Sequence, residues 1–136
     1  MLHIEQITPQ LTWRLRHEVL YPDIPIYKMW MDEDDDGYHF GAFTESELVA
    51  VVSLFSKGSD FQFRKFAVHP SVQGRGMGKA LLNYVIAFAK AEGAQRLWCN
   101  ARLPAIGFYL KSGFKQTGET FSKNGFDYEI MELMLN

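Results

Sequence analysis

The sequence predicts one α/β domain of the α+β type, in which a mixed, mostly antiparallel central sheet is flanked by helices. Three observations carry that reading. Residues 38–68 hold three β-rich runs joined by short turns, the pattern of an antiparallel meander. From Met77 the apolar period becomes helical, with Leu81, Leu82, Val85, Ile86 and Ala89 on one stripe and Lys79, Asn83 and Lys90 off it. A short strand over 97–101 follows that helix, and a strand–helix–strand order makes the two flanking strands parallel neighbours. The 136 residues read as one domain over 1–136, long enough for a real core and without linker or internal repeat.

In chain order, Leu2, Ile4 and Ile7 alternate in a first strand over 2–7. Thr8 and Pro9 then read as the N-cap and first position of a helix whose inner face is Leu11, Leu15 and Val19, and which stops before Pro22. Residues 26–31 suggest a short second helix in which Tyr27, Met29 and Trp30 pack as core or lid. Asp32-Glu33-Asp34-Asp35-Asp36-Gly37 reads as a solvated acidic loop, and a sharper reading has it drawing a cationic amine toward a site. Strands over 38–44 and 48–56 flank a Glu45-Ser46-Glu47 turn, and a third over 63–68 is ended by His69-Pro70. The helix from Met77 runs to about Glu92, where Gly93 stops it. Pro104 opens another helix, closed by Gly113-Phe114. Strands over 115–120 and 128–135 flank the hairpin turn Ser122-Lys123-Asn124-Gly125.

The stretch from Phe66 to Lys79 carries the chemistry. It is a strand, a glycine-rich turn with Gly74, Gly76 and Gly78, and a helix start. Glycines at such a junction let a ligand touch the backbone, and the free amides and helix dipole favour phosphate. Arg75 and Lys79 add positive charge beside it. The spacing is one residue short of a Walker A loop, and Ala80 offers no hydroxyl for Mg²⁺, so an ATPase or GTPase is excluded. The mid-chain Gly74-x-Gly76-x-Gly78 also lacks the regular βαβαβ context of a dinucleotide fingerprint.

Charge and composition exclude other classes. A formal net charge of −2 gives no basic excess for nucleic acid. Neither a signal peptide nor an apolar run of membrane-spanning length is legible, and Cys99 is the only cysteine. The expectation is a soluble cytoplasmic protein that binds neither nucleic acid nor membrane. His3, His17 and His39 are too scattered for a metal site, so no metal is expected. Cys99 reads as a buried strand residue; an acyl-cysteine would need an adjacent base.

Gln73-x-x-Gly76-x-Gly78 after a strand ending in Ala67-Val68 closely resembles the acetyl-CoA pyrophosphate loop of the GCN5-related N-acetyltransferase (GNAT) family. The segment Ala105-Ile106-Gly107-Phe108-Tyr109-Leu110-Lys111-Ser112-Gly113-Phe114 is similar to that family's A-x-x-F-Y-x-x-x-G-F signature. The resemblance covers most of the chain from Tyr38 onward. It implies a bulge that splays the Phe66–Val68 strand from the 97–101 strand and opens an acyl-CoA cleft. Phe66, Ala67 and Val68 would border the pantetheine arm, with a Val68 amide near the thioester carbonyl. Gln73, Gly74, Arg75, Gly76, Met77, Gly78 and Lys79 would hold the pyrophosphate, and Asn100, Phe108 and Tyr109 would also meet the cofactor. Tyr109 would be the general acid, since a phenol stays protonated at neutral pH. The resemblance also suggests that residues before Tyr38 help shape the acceptor pocket.

The general base is left open among Glu119, His69, Tyr128 and a water chain, because Gln62 cannot take a proton and Asp60 looks too early in its strand. The function so implied is acetyl-CoA-dependent N-acetylation of a primary amine on a small molecule or peptide, by direct attack in a ternary complex. A non-catalytic acyl-CoA-binding sensor or interaction module is the alternative, and the aromatic-rich final strands are compatible with a homodimer.

Overall fold

The protein is described by a computed structural model covering residues 2–135. Seven strands, β1 (Leu2–Ile7), β2 (Tyr38–Thr44), β3 (Glu47–Lys57), β4 (Asp60–Val68), β5 (Arg96–Arg102), β6 (Lys115–Lys123) and β7 (Phe126–Met134), form one sheet. Its order is β1-β2-β3-β4-β5-β7-β6, and only β4 and β5 run parallel. The mixed sheet, with its one parallel pair, is the one the sequence predicts. No helix among the described residues is long and apolar enough to cross a membrane.

Alternation along β3 divides the core between the two faces of the sheet. Ala50, Val52 and Leu54 point to one face, where helix α2 (Met77–Ala91) buries Leu81, Leu82, Val85 and Ala89, and α3 (Ile106–Lys111) adds Tyr109. Val51 points to the other face and packs with Ile7, Leu15 and Ala67. Residues 9–20 cover that second face, though not as the one regular helix their periodicity suggests. They form a 3₁₀ turn (Pro9–Thr12), a single α turn, α1 (Trp13–Leu15), and a π turn (Arg16–Leu20). Thr8 holds the N-cap place, but its side chain makes no capping bond; Thr12 Oγ1 donates to Pro9 O at 2.6 Å instead. In the π turn the Tyr21 N–H reaches back to both Arg16 O and His17 O, at 3.1 and 3.2 Å. Of the three residues expected to pack in the next segment, only Met29 is buried; Tyr27 and Trp30 are exposed.

The acidic run is solvated at Asp32, Glu33, Asp35 and Asp36, as its composition suggests, but Asp34 departs from that expectation. Residues Asp32–Asp36 form a 3₁₀ turn, and Asp34 is buried. The Arg16 guanidinium reaches it through two bonds of 2.9 Å and also donates to Met29 O and Ser53 Oγ. Desolvation raises the Asp34 carboxyl, but the bonds from Arg16 and the Met31 N–H outweigh it and bring it below its usual value. His39 completes the network, with Nε2 2.7 Å from Asp34 O and Nδ1 2.7 Å from Ser53 Oγ. The carbonyl can only accept, so Nε2 carries the proton and Nδ1 accepts from the serine hydroxyl. That is a neutral imidazole. Burial pushes its pKa down, against the raising influence of its contacts with Asp34.

Removing one partner strands the other charge in the core. Asp34→Ala is expected to lower unfolding free energy by about 3–5 kcal/mol in urea titration. The His39 shift sets a second expectation. Below an ordinary histidine pKa of about 6.5 the unfolded chain takes up a proton that the folded one refuses. Stability should therefore fall as pH drops through that range, and His39→Gln should remove this component from stability measured across pH 5–8.

Candidate active site

The site begins at one irregularity in β4. Val51 faces Ala67 and Ser53 faces Arg64, so Val52 of β3 stands opposite two residues of β4, Lys65 and Phe66. The extra residue falls at Lys65, whose φ is +57°. This bulge keeps both Phe63 and Phe66 on the α2–α3 face, where their rings lie 6.1 Å apart. Beyond it β4 leaves its parallel neighbour: β4 and β5 pair only over Asp60–Gln62 with Arg96–Trp98. The rest of β4 faces an open gap, as the bulge and splay inferred from resemblance require. The His69 N–H bonds to Val49 O at 2.8 Å, so by alternation the Val68 N–H and C=O point away from β3 into the gap.

At the end of β4 the chain enters the glycine turn. Gln73 Nε2 donates to Val68 O at 2.8 Å, which ties the turn to the strand and leaves the Val68 N–H free. Gly74 and Gly76 have φ of +79° and +83°, and a Cβ on either would meet nothing within 4 Å. Backbone conformation and an open approach, rather than crowding, call for glycine there. Gly78 is different. It has ordinary φ, and a Cβ on it would stand at ordinary contact distance, 3.4 Å from Val68 and 3.6 Å from Phe108, so neither conformation nor crowding demands glycine there. The first amide of the helix start to find a backbone acceptor is that of Ala80, bonded to Gly76 O at 3.0 Å. The amides from Gly74 to Lys79 are left without one, and the Arg75 and Lys79 side chains beside them are exposed.

Tyr109 projects from α3 to the gap among Phe63, Phe108 and Phe114, with ring centroids 5.2–5.9 Å away. Burial raises its phenol above the ordinary tyrosine value, and Cys99 adds to the shift, so Tyr109 stays protonated at any physiological pH. Cys99 is buried in β5 and its thiol is pushed up to about 12 by desolvation, which leaves no thiolate for acyl transfer. Asn100 follows on β5 beyond the last pair with β4 and is exposed.

Gln62, Phe66, Cys99, Asn100 and Tyr109 share a cavity of about 240 Å³ between the splayed strands. The first segment and the last hairpin build its far wall: Leu20 ends the π turn and Tyr21 follows it, and Phe121, Lys123, Asn124 and Tyr128 come from the hairpin. Of the candidate bases, Tyr128 alone reaches this cavity, stacked on Phe121 with centroids 5.0 Å apart. Asp60 lies at the paired end of β4, 3.5 Å from Arg96. His69 Nδ1 is taken by the Ser71 N–H and hydroxyl, and Glu119 is exposed on the edge strand β6. Glu129, buried on β7, accepts from Gln116 Nε2 and the Gly118 N–H and so holds the irregular register of β6.

A sequence model described as an acetyltransferase (GNAT) domain matches residues 6–135. The chain belongs to the GNAT family. It is therefore an acyltransferase, and acetyl-CoA is the cosubstrate of that family. An uncharacterized N-acetyltransferase of Bacillus subtilis, YitI, is 28% identical over 140 residues, covering 96% of this chain and 94% of the relative. Two solved GNAT structures share the fold. The ribosomal-protein-S18-alanine N-acetyltransferase of Escherichia coli superposes with a TM-score of 0.83 at 19% identity, over 100% of this chain and 95% of that one. A GNAT acetyltransferase of Elizabethkingia anophelis with acetyl-CoA bound gives 0.77 at 20% identity, over 98% of both chains.

The Cys99 environment gives a direct check on the nucleophile. The folded GNAT domain should resist iodoacetamide at pH 8 and be alkylated only in denaturant, as read by mass spectrometry.

Proposed function

We propose that this protein is an acetyl-CoA-dependent N-acetyltransferase that acetylates a primary amine on a small molecule or peptide by direct attack in a ternary complex. The observation that carries the reading is the alignment, along one edge, of the free Gly74–Lys79 amides, the open end of β4 and the Tyr109 phenol. The residues fit the cosubstrate: the open sides of Gly74 and Gly76 leave room for a pyrophosphate against the backbone, and Arg75 and Lys79 supply counter-charge.

Bound acetyl-CoA supplies an acyl group activated as a thioester. The open edge of β4 from Phe66 to Val68 offers backbone groups to an extended, amide-bearing arm, as a sheet edge does to an added strand. The Val68 N–H, which points into the gap, would donate to the thioester carbonyl oxygen as negative charge gathers on it during attack. As the amine nitrogen bonds to the acyl carbon and the C–S bond breaks, Tyr109 is placed to give its proton to the departing sulfur. A neutral, buried phenol suits that donor role. The ammonium proton leaves to solvent or to a base, for which Tyr128 is the one earlier candidate at the cavity.

Two measurements test this. Acetyl-CoA at a hundredfold its dissociation constant should stabilise the fold by about 2.7 kcal/mol, seen as a clear rise in Tm. Tyr109→Phe should cut kcat by about 10²–10⁴-fold with acetyl-CoA affinity and Tm retained, because among the described residues the phenol makes no hydrogen bond that the fold depends on. Absence of any shift with acetyl-CoA would sink the assignment.

A further inference from the structure

The cavity that ends at Tyr109 has a charge pattern that acetyl transfer does not explain. Arg64, Lys65, Arg102 and Lys123 line it, and no aspartate or glutamate does. A second cavity of about 180 Å³ shares Tyr21, Lys65 and Asn124, adds Arg16 and Lys28, and again has no carboxylate in its wall. This one-sided lining occurs in a chain with 16 acidic and 14 basic residues. Arg16 and Arg64 are already engaged, by Asp34 and Glu33. Lys65 and Arg102 are not: among the described residues no carboxylate lies within ion-pair distance of either.

These two cations converge on one phenol. Lys65 Nζ donates to Tyr21 Oη at 2.6 Å and lies 4.4 Å from its ring centre. The Arg102 guanidinium lies 5.3 Å from the same ring, stacks 3.8 Å over Phe126, and donates to Leu20 O at 3.3 Å. Burial raises the Tyr21 phenol, but the Lys65 bond and the charges of Lys65 and Arg102 outweigh it, and the net direction is down. Two like charges held this close without a counter-charge favour a bound anion. The phosphate-binding turn does not compete for them. It adjoins α2 and α3 on one face of the sheet, whereas Tyr21 follows the segment that covers the other.

From this we infer that the acceptor carries an anionic oxyacid group, a carboxylate or a phosphate, close to its amine, with Lys65 and Arg102 binding the anion and the amine directed toward the gap at Tyr109. The acceptor is then a small amino acid or aminoalkyl phosphate rather than a polyamine or an aminoglycoside. The inference deepens the acyltransferase reading and rests on it. It also replaces the expectation that the acidic run draws a cationic acceptor, since Asp34 is buried on Arg16 and no acidic side chain reaches the cavity wall. Arg102 presents the planar fork that suits an oxyacid, and the Lys65 ammonium is a point charge beside it.

The test uses matched acceptors with the full chain and saturating acetyl-CoA, reading CoA release. L-amino acids are each paired with their amides, and 2-aminoethyl phosphate with ethanolamine, with spermidine as a cationic arm. The anionic member of at least one pair should exceed its neutral partner at least 100-fold in kcat/KM; the two pairings separate carboxylate from phosphate. Lys65→Met and Arg102→Met should each reduce that preference at least tenfold, with acetyl-CoA affinity unchanged, and Lys65→Arg should restore most of it. Preferred turnover of spermidine or of the neutral members would overturn the inference while leaving the acyltransferase standing. Should no acceptor in the panel turn over, N-acetylglycine and N-acetylglycinamide are titrated into the CoA-saturated protein. Tighter binding of the carboxylate by tenfold, lost in Lys65→Met, supports the inference, and equal binding overturns it. Failure of acetyl-CoA itself to bind would remove the acyltransferase reading first.

Discussion

One extra residue in β4 governs the site. The bulge at Lys65 keeps Phe63 and Phe66 on the helical face while β4 turns away from β5. A regular ladder would have continued the β4–β5 pairing, and the backbone groups of Phe66 to Val68 would then be spent on a neighbouring strand. Because pairing stops at Gln62, those groups face a gap, and the cavity in it brings Phe66, Asn100 and Tyr109 together. The same bulge turns Lys65 toward Tyr21, so one backbone irregularity accompanies the gap beside β5 and brings a cation to the cavity wall.

The cavity wall contributed by the first segment depends on a second constraint, the buried pair of Arg16 and Asp34. Residues 9–36 contain only short 3₁₀, α and π turns, which have little stability of their own. A guanidinium bonded at once to Asp34, Met29 O and Ser53 Oγ joins three separate stretches of chain at one point. His39, held neutral between Asp34 O and Ser53, completes the connection to β2 and β3. A buried ion pair is a poor source of net stability compared with an apolar substitute, but it specifies position strongly. Here it fixes the segment that delivers Leu20 and Tyr21 to the cavity wall.

Chemistry is thus divided across the sheet. On one face the glycine turn, α2 and α3 present free amides, exposed cations and a phenol whose burial keeps it protonated. On the other, residues far apart in sequence build a cavity wall with positive charge and no negative charge. The glycines of the turn are not equivalent: Gly74 and Gly76 supply a positive φ, whereas Gly78 has ordinary φ and room for a Cβ at normal contact distance.

The sequence by itself determined the sheet, the α2 helix and the glycine turn that joins β4 to it. Those features are local: alternation, a helical apolar period and glycine spacing are legible within a dozen residues. It also placed Cys99 in a buried strand, where the structure finds it. What only the tertiary structure decided are features set by contacts across the chain. Asp34 reads as one of five solvated acids until Arg16, 18 residues earlier, is seen to reach it. The single helix expected over the first segment breaks into three kinds of turn because its side chains answer to the sheet beneath rather than to their own period. Tyr21, Lys65, Arg102 and Lys123 carry no motif and no periodicity, and nothing in their neighbours marks them. They become a site because a bulge, a π turn and a hairpin bring their charges to one cavity, and charge complementarity is a property of the space they enclose.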